Sequence, residues 1–175
     1  ARPGELNYSS GGSGSSSHLA AELFKHMAKA NIVRISYKSG AQETTDLIAG
    51  QVQMTFSTPA SVMQHVKSGR LKAIAVTSLE SSRLVPGLPA IAATLPGYES
   101  ISIHGMFAPA RTTDAIVKRL NQEVVRYVNT GEAKEKFFGV GVEVIASSPD
   151  ELAVKMKADM GRMGKVIKDA GIRDQ

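Results

Sequence analysis

The sequence contains no cysteine, and its four histidines are scattered along the chain. Disulfides and thiolate metal sites are therefore excluded, and the histidine spacing matches no metal-binding motif. We accordingly expect no metal ion. The absence of cysteine also fits an oxidising compartment.

Long hydrophobic runs, tryptophan and dense clusters of basic residues are absent too. No apolar run approaches the roughly 20 residues needed to cross a bilayer, and no signal peptide stands at the start, so we expect a chain that is cytoplasmic or already processed. The formal net charge of +5 favours anionic ligands or an anionic surface partner. Because aromatic residues make up only 5% and the basic residues are dispersed, we expect no nucleic-acid partner.

A Gly/Ser-rich stretch at residues 9–17 stands out near the front of the chain, directly before an amphipathic helical pattern. Small residues let the backbone turn sharply and let a ligand approach its amides. The first N–H groups of a helix are unpaired and carry partial positive charge, which suits a carboxylate or a phosphate. We predict that an anionic group is held there by Gly12, Gly14, Ser15 and Ser16. The alternative is a flexible turn that ends in an ordinary N-cap.

Short apolar segments alternate with helical patterns in the first half of the chain. The pattern predicts strands at 6–9, 32–37, 52–56 and 71–77, separated by helices at 16–30, 41–49 and 58–69. This order indicates an α/β fold, with a parallel sheet and helices on both faces. Ligands bind beyond the carboxyl ends of such strands, where four loops would converge: 9–17, 38–42, 57–60 and 78–82. Their Ser, Thr and Gly content predicts binding rather than proton transfer.

The second half of the chain is predicted to have more amphipathic helices than its few strands can pack against. Its pattern predicts a short helix at 90–94, strands at 101–107 and 142–145, and helices at 114–129, 132–138 and 148–170. The last helix begins with a capping box from Ser148 to Glu151, with Pro149 at the first helical position. Each amphipathic helix needs a sheet or partner to bury its apolar stripe. As an independent domain this half looks incomplete.

Several motifs follow one another in a consistent order along the whole chain. They are the Gly/Ser loop from Tyr8 to Leu19, the turn Ile35-Ser36-Tyr37-Lys38-Ser39-Gly40, the segment Asp46-Leu47-Ile48-Ala49-Gly50-Gln51-Val52, and the later segment Val85-Pro86-Gly87-Leu88-Pro89. Each motif alone is weak evidence of relationship. Taken together and in this order, they make the chain resemble the periplasmic substrate-binding receptors of tripartite tricarboxylate transporters, also called the Bug-type family.

The resemblance implies a type II periplasmic-binding-protein-like fold, in which two α/β lobes close on a ligand. It implies that residues 1–103 form the ligand-binding second lobe and that residues 104–175 are the C-terminal return to the first lobe. Family members carry a further N-terminal part, which this chain is expected to lack. The chain departs from the family pattern at Ser39, Ser57 and His104, where a Gly, an Asp or Gly, and a Trp are usual.

Candidate ligand-binding residues come from the loop and from the family-like motifs: Ser10, Gly12, Gly14, Ser15, Ser16, His18, Tyr37, Asp46 and Thr58. Four of them have a structural alternative. His18 would then be a packing residue and Tyr37 a residue at the edge of the core. Asp46 would be an exposed helix carboxylate, and Thr58 would cap the following helix.

The resemblance implies an extracytoplasmic solute-binding receptor rather than an enzyme, with no catalytic residue. It would bind a small carboxylate non-covalently, either a di- or tricarboxylate or an amino-acid-like acid, for uptake by membrane transporter subunits. It implies a periplasmic location. The incomplete lobe also makes a homo-oligomer an expectation, because pairing would bury its apolar helices.

Two alternatives remain open. One is a dinucleotide-binding enzyme of the Rossmann type, since Gly12-Ser13-Gly14 followed by Ser17 approximates G-x-G-x-x-G. Tyr37 and Lys38 stand where that fingerprint requires an acidic residue, and the sequence has neither a G-x-S-x-G nor a P-loop motif, so we expect no cofactor. The other is a ligand-sensing interaction domain of the same fold without a role in transport.

Overall fold

The structure is a computed structural model that describes residues 4–172. This part of the chain divides into two compact units. Unit 1 runs from the first described residue to Ser102 and also includes the residues from Arg162 onward, whereas unit 2 is Ile103–Gly161. The expected lobes, 1–103 and 104–175, remain a prediction.

A three-stranded parallel sheet organises unit 1. Its strands are β1 Asn7–Ser10, β2 Val33–Ser36 and β3 Met54–Thr55, in the order β2-β1-β3. Asn7 is the partner of Val33 and Tyr8 that of Met54, so β1 is hydrogen-bonded on both sides. The first three predicted strands are therefore confirmed, and the parallel pairing brings their carboxyl ends to one edge of the sheet.

Each of the three strands is followed by a helix: α1 Ser16–Ala28, α2 Gly40–Ile48 and α3 Pro59–Lys67. Side chains alternate between the two faces of a strand. Tyr8 donates its hydroxyl hydrogen bond to Glu22 on α1, whereas its neighbour Ser9 donates to Glu43 on α2. Helices therefore cover both faces of the sheet, which confirms the α/β fold class predicted from the sequence.

Local chemistry fixes the ends of these helices. Ser15 is the N-cap of α1, and Lys29 ends the helix in the left-handed conformation with a φ of 52°. Pro59 is the first residue of α3, where its missing N–H costs no helical hydrogen bond. No helix in the described part of the chain combines the length and the apolar character that crossing a bilayer requires.

Two apolar clusters hold unit 1 together. The first joins the sheet to α1 through Tyr8, Ala21 and Ile32. The second gathers residues that are far apart in the sequence: Leu23, Tyr98 and Val166. Tyr98 is completely buried and donates its hydroxyl hydrogen bond to the carbonyl of Ala20 at 2.9 Å. The predicted short helix at 90–94 is a single 3-10 turn, Ile91–Ala93, which packs on this second cluster.

Three further strand predictions, at 71–77, 101–107 and 142–145, are wrong, because no strand occupies these described residues. A strand persists only where a neighbour pairs its backbone N–H and C=O groups. Val76 forms one isolated bridge with Ala90. Ile74 and Ile145 are 72% and 81% exposed. These segments therefore contain apolar and β-branched residues that favour strands, but among the described residues no neighbouring strand pairs with them along its length.

Unit 2 contains α4 Asp114–Val128, α5 Gly131–Gly139 and the first part of α6 Pro149–Asp169. All three predicted helices are confirmed. The hydroxyl of Thr130 accepts from the N–H of Ala133 at the start of α5, and Ser148 and Glu151 exchange hydrogen bonds as the predicted capping box. Of the residues of unit 2, all of which the structure describes, only Ala133 is buried.

Candidate functional site

The loop between β1 and α1 leaves several backbone donors unpaired. The N–H of Gly11 donates to Ser17 Oγ, and that of Gly14 donates to His18 Nδ1, each at 3.1 Å. Gly12, Ser13 and Ser16 are exposed, and among the described residues their N–H groups have no acceptor. These three donors lie at the positive end of the α1 dipole, where an anion is stabilised.

Two glycines keep the space above this loop open. A side chain added at Gly12 or Gly14 would place its Cβ in contact with no atom within 4 Å. Gly14 also has a φ of +77°, in the left-handed region that glycine adopts without strain. The loop therefore presents its amides to open space.

Arg34 on β2 supplies a positive charge beside the loop, and the sequence analysis missed it. Its guanidinium donates to Ser10 Oγ at 2.8 Å, to the carbonyl of Gly11 at 2.7 Å and to Ser13 Oγ at 3.3 Å. No carboxylate in residues 4–172 pairs with it. An arginine within an otherwise apolar strand was the signal for it, because such a side chain is seldom placed there without a partner.

Below the loop, α1 carries a buried polar cluster. Tyr8 Oη donates to Glu22 Oε1 at 2.6 Å, and Lys25 Nζ donates to the same oxygen at 2.7 Å. Burial alone would raise the pKa of Glu22, but the hydrogen bonds from Lys25 and Tyr8 outweigh it and hold that pKa below its ordinary value. The carboxylate therefore stays charged.

His18 is buried within this cluster rather than facing solvent. Burial lowers the pKa of His18, and the nearby positive charge of Arg34 lowers it further. The ring is then neutral at pH 7, and its unprotonated Nδ1 accepts the N–H of Gly14. His18 thus fixes the shape of the loop from beneath.

A polar cavity of about 430 Å³ lies beside this cluster in unit 1. Its wall includes Ser13, His18, Arg34 and the last described residues, Ala170 to Ile172. Arg34 and Lys25 bring positive charge to it and Glu22 brings negative charge. The Gly/Ser loop therefore borders a cavity through Ser13 on the Arg34 side.

A second cavity, of about 370 Å³, opens between the N-terminal half of α2 and the start of α3. We call it the α2–α3 cleft, and it is lined by Gly40, Ala41, Glu43, Thr44, Leu47, Thr55, Ser57, Ser61 and Val62. Two of the four loops predicted to converge, 38–42 and 57–60, contribute to it. Glu43 Oε1 accepts from Ser9 Oγ at 2.9 Å and from Thr55 Oγ1 at 2.8 Å.

The structure brings some predicted site residues together and separates others. Ser10, Gly12, Gly14, Ser15, Ser16 and His18 all belong to the β1–α1 junction. The hydroxyl of Tyr37 donates to Asp46 Oδ2 at 2.9 Å, and neither residue lines the α2–α3 cleft. Thr58 is the N-cap residue of α3, and its hydroxyl lies 3.0 Å from that of Ser61.

Ser10 and Ser15 already have partners within the protein. Ser10 is completely buried and its hydroxyl accepts from Arg34, while Ser15 Oγ accepts from the N–H of His18 at 3.4 Å. Among the described residues, no three His, Asp or Glu side chains come together as a metal site. The polar groups that the Gly/Ser loop and Arg34 themselves present are amides, hydroxyls and one guanidinium.

Three similarities to known proteins bear on this site. The chain is 33% identical to a UPF0065 protein of the tcbD-tcbE intergenic region of Pseudomonas sp. (strain P51), over 94% of this chain and 50% of that protein. The structure of R. palustris Rpa4515 with adipate is 34% identical, with a TM-score of 0.82, over 98% of this chain and 57% of that one. The periplasmic binding protein BugD is 27% identical, with a TM-score of 0.73, over 99% and 59%.

The chain thus spans about half the length of the proteins compared above. Over that half, the periplasmic-binding-protein fold implied by the sequence is confirmed. The family model described as "Tripartite tricarboxylate transporter family receptor" (TctC) matches residues 1–172. That family is one of solute-binding receptors rather than enzymes, and the comparisons support neither the Rossmann-type enzyme nor a homo-oligomer. The chain therefore belongs to the TctC family of tripartite tricarboxylate transporter receptors.

Proposed function

We propose that this chain carries a ligand-binding site of a periplasmic solute receptor, which binds a small carboxylate without covalent chemistry and delivers it to membrane transporter subunits. The observation that supports this proposal most directly is the set of exposed N–H groups of Gly12, Ser13 and Ser16 beside the guanidinium of Arg34. Membership of a receptor family and the adipate in the related Rpa4515 structure are in keeping with it.

The carboxylate would lie on the loop at the mouth of α1. Each N–H directed at it contributes a charge-assisted hydrogen bond, which is shorter and stronger than a neutral one. Arg34 adds a longer-range attraction, because no carboxylate of the described residues neutralises it. Of the predicted ligand residues, Gly12, Gly14 and Ser16 would provide the contact surface, and Ser10, Ser15 and His18 would hold its shape.

Ser16 offers a sharp test, because it is the first residue of α1. Proline is well accepted at that position, so Ser16→Pro deletes one amide donor and leaves the helix intact. The preceding residue, Ser15, already has the extended backbone that proline requires, with φ −61° and ψ 157°. Ser16→Ala is the matched control, since it removes the hydroxyl and keeps the amide.

Binding is followed by two-dimensional ¹⁵N–¹H NMR during titration of the chain with succinate, malate, adipate and glutamate. Because individual amide signals are observed, affinities in the millimolar range are measurable. We expect at least one acid to shift the signals of Gly12, Ser13 and Ser16, and Ser16→Pro to weaken its binding about tenfold while Ser16→Ala weakens it less. If no acid of the panel moves these signals, the proposal fails.

A further inference from the structure

Glu43 is held in place by three elements of unit 1. It lies in the first turn of α2, and its Oε1 accepts from Ser9 on β1 and from Thr55 on β3. Ser9 and Thr55 are register partners in the sheet. Two hydroxyls presented by paired strands therefore fix the carboxylate against the wall of the α2–α3 cleft.

This carboxylate has no compensating charge in the described part of the chain. Two other glutamates of unit 1 contrast with it, because the buried Glu22 is paired with Lys25 and the half-buried Glu99 with Arg162. No Lys, Arg or His of residues 4–172 pairs with Glu43. Its second oxygen, Oε2, accepts no hydrogen bond from any residue in that range. Removing such a group from bulk water is costly unless a partner is supplied.

The open cleft in front of Glu43 leaves room for a ligand to supply that partner. The α2–α3 cleft and the Gly/Ser loop both lie at the carboxyl edge of the sheet, because the Gly/Ser loop follows the central strand β1, while Gly40 and Ser57 of the α2–α3 cleft follow its neighbours β2 and β3. Neighbouring strands of a sheet lie about 4.8 Å apart, so the loop and the cleft are next to each other along this edge.

We infer that Glu43 is a specificity-determining residue, which selects carboxylates that carry a hydrogen-bond donor, above all an ammonium group, at their other end. This inference rests on the proposed function, because the carboxylate of the ligand occupies the site at the mouth of α1. A donor at the far end pairs with the free oxygen of Glu43. A second carboxylate there meets like charge in a partly desolvated cleft and is disfavoured.

The test uses four acids with the same carbon chain: 6-aminohexanoate, 6-hydroxyhexanoate, hexanoate and adipate. Dissociation constants are measured on the 175-residue chain from the amide signals of Gly12 and Ser16. We expect 6-aminohexanoate to bind at least about tenfold more tightly than adipate, with the hydroxy acid between them. The comparison among ligands uses the unmodified chain and so does not depend on the folding of a variant.

Glu43→Gln then isolates the charge, because glutamine keeps an oxygen that accepts from Ser9 and Thr55. We expect the preference for 6-aminohexanoate over adipate to fall to within about threefold in this variant, against tenfold or more in the unmodified chain. Glu132→Gln is the control. It changes the net charge equally at an exposed residue of unit 2 paired with Lys136, and it leaves the preference unchanged.

Two negative outcomes separate the two proposals. If none of the four acids, nor any of the earlier panel, shifts the loop signals, the proposed function itself is overturned. If they bind but adipate equals 6-aminohexanoate, or Glu43→Gln leaves their ratio unchanged, the role of Glu43 is overturned while carboxylate binding at the loop stands.

Discussion

Units 1 and 2 are built from the same kind of amphipathic helix, yet they bury different amounts of apolar surface. In unit 1, Tyr8 and Tyr98 are completely buried and Leu23 is 3% exposed. In unit 2, the stripe of α4 remains open, with Ile116 53% and Tyr127 54% exposed. The sheet accounts for the difference, because α1 packs on the strands of its own unit, whereas the residues of unit 2, all of them described, form no strand.

Forming a helix and burying its apolar stripe are two separate requirements, and a helical pattern in the sequence indicates only the first. An apolar stripe with helical spacing specifies a helix, and α4 forms at the predicted residues. Stability, however, comes mainly from covering that stripe. The same pattern therefore yields a core helix where a sheet is present and an exposed apolar surface where it is not.

Truncation of one buried and one exposed tyrosine should give the largest difference between the units in the free energy of unfolding. Tyr98→Ala removes a completely buried ring that packs edge-on against Phe24, 6.3 Å between ring centroids, and donates to Ala20. We expect a loss of about 3–5 kcal/mol in the free energy of unfolding, measured by urea denaturation with circular dichroism. Tyr127→Ala, the matched change in unit 2, should cost less than about 1 kcal/mol. An equal loss in both variants would show that the stripe of α4 is covered in solution.

The pH dependence of stability provides a second, smaller contrast, through Glu22 in unit 1 and Glu151 in unit 2. The pKa of Glu22 is lower in the folded protein, so this carboxylate stabilises the fold above its ordinary pKa of 4.5, and the stabilisation is lost as the pH falls through the folded value. Glu22→Gln should therefore destabilise the protein by about 1–3 kcal/mol at pH 7. The difference from the unmodified chain should shrink below pH 4.5.

Glu151 serves as the comparison because its pKa is lowered for a different reason. Hydrogen bonds from the backbone and hydroxyl of Ser148 lower the pKa of Glu151 at the fully exposed start of α6. Solvent screens this group, so Glu151→Gln should change the pH profile less than Glu22→Gln does. Urea midpoints measured between pH 3 and pH 7 decide this, and an equal effect of both changes would contradict the distinction between the units.

The smallest expected effect concerns helix caps. Thr130→Ala deletes the hydroxyl that accepts from the N–H of Ala133 in unit 2, and we expect a loss of about 1 kcal/mol. Thr58→Ala in unit 1 is the control, because Thr58 occupies the cap position of α3 without a side-chain cap hydrogen bond. Urea denaturation should show no more than about 0.5 kcal/mol for it. A larger loss for Thr58→Ala than for Thr130→Ala would contradict this ranking.

Much of the local structure is predictable from nearby residues. Ser15 before an apolar helical pattern places the start of α1, and Ser148, Pro149 and Glu151 place the start of α6. The strands of unit 1 are also predicted, although β3 is limited to Met54–Thr55. The strand predicted at 71–77 fails for a non-local reason, since propensity does not supply the neighbouring strand that completes a ladder.

The candidate site also combines features that nearby residues predict with contacts between distant residues that they do not predict. The exposed amides of Gly12 and Ser16 follow from the Gly/Ser loop and the helix that it precedes. The contacts of Arg34 with that loop and those of Glu43 with Ser9 and Thr55 join residues more than ten positions apart. The spacing of residues in one segment carries no information on such contacts.

Residues close together in the chain specified the helices of both units, the first three strands and the donors at the mouth of α1, because these depend on hydrogen bonds and side-chain periodicity within short segments. The alternation of strands with helices then indicated a parallel sheet. Tertiary contacts set which stripes are buried, which charge stands beside the loop, and that Glu43 has no cationic partner among the described residues. Those properties depend on which distant segments meet, and burial and electrostatic pairing are set by that meeting.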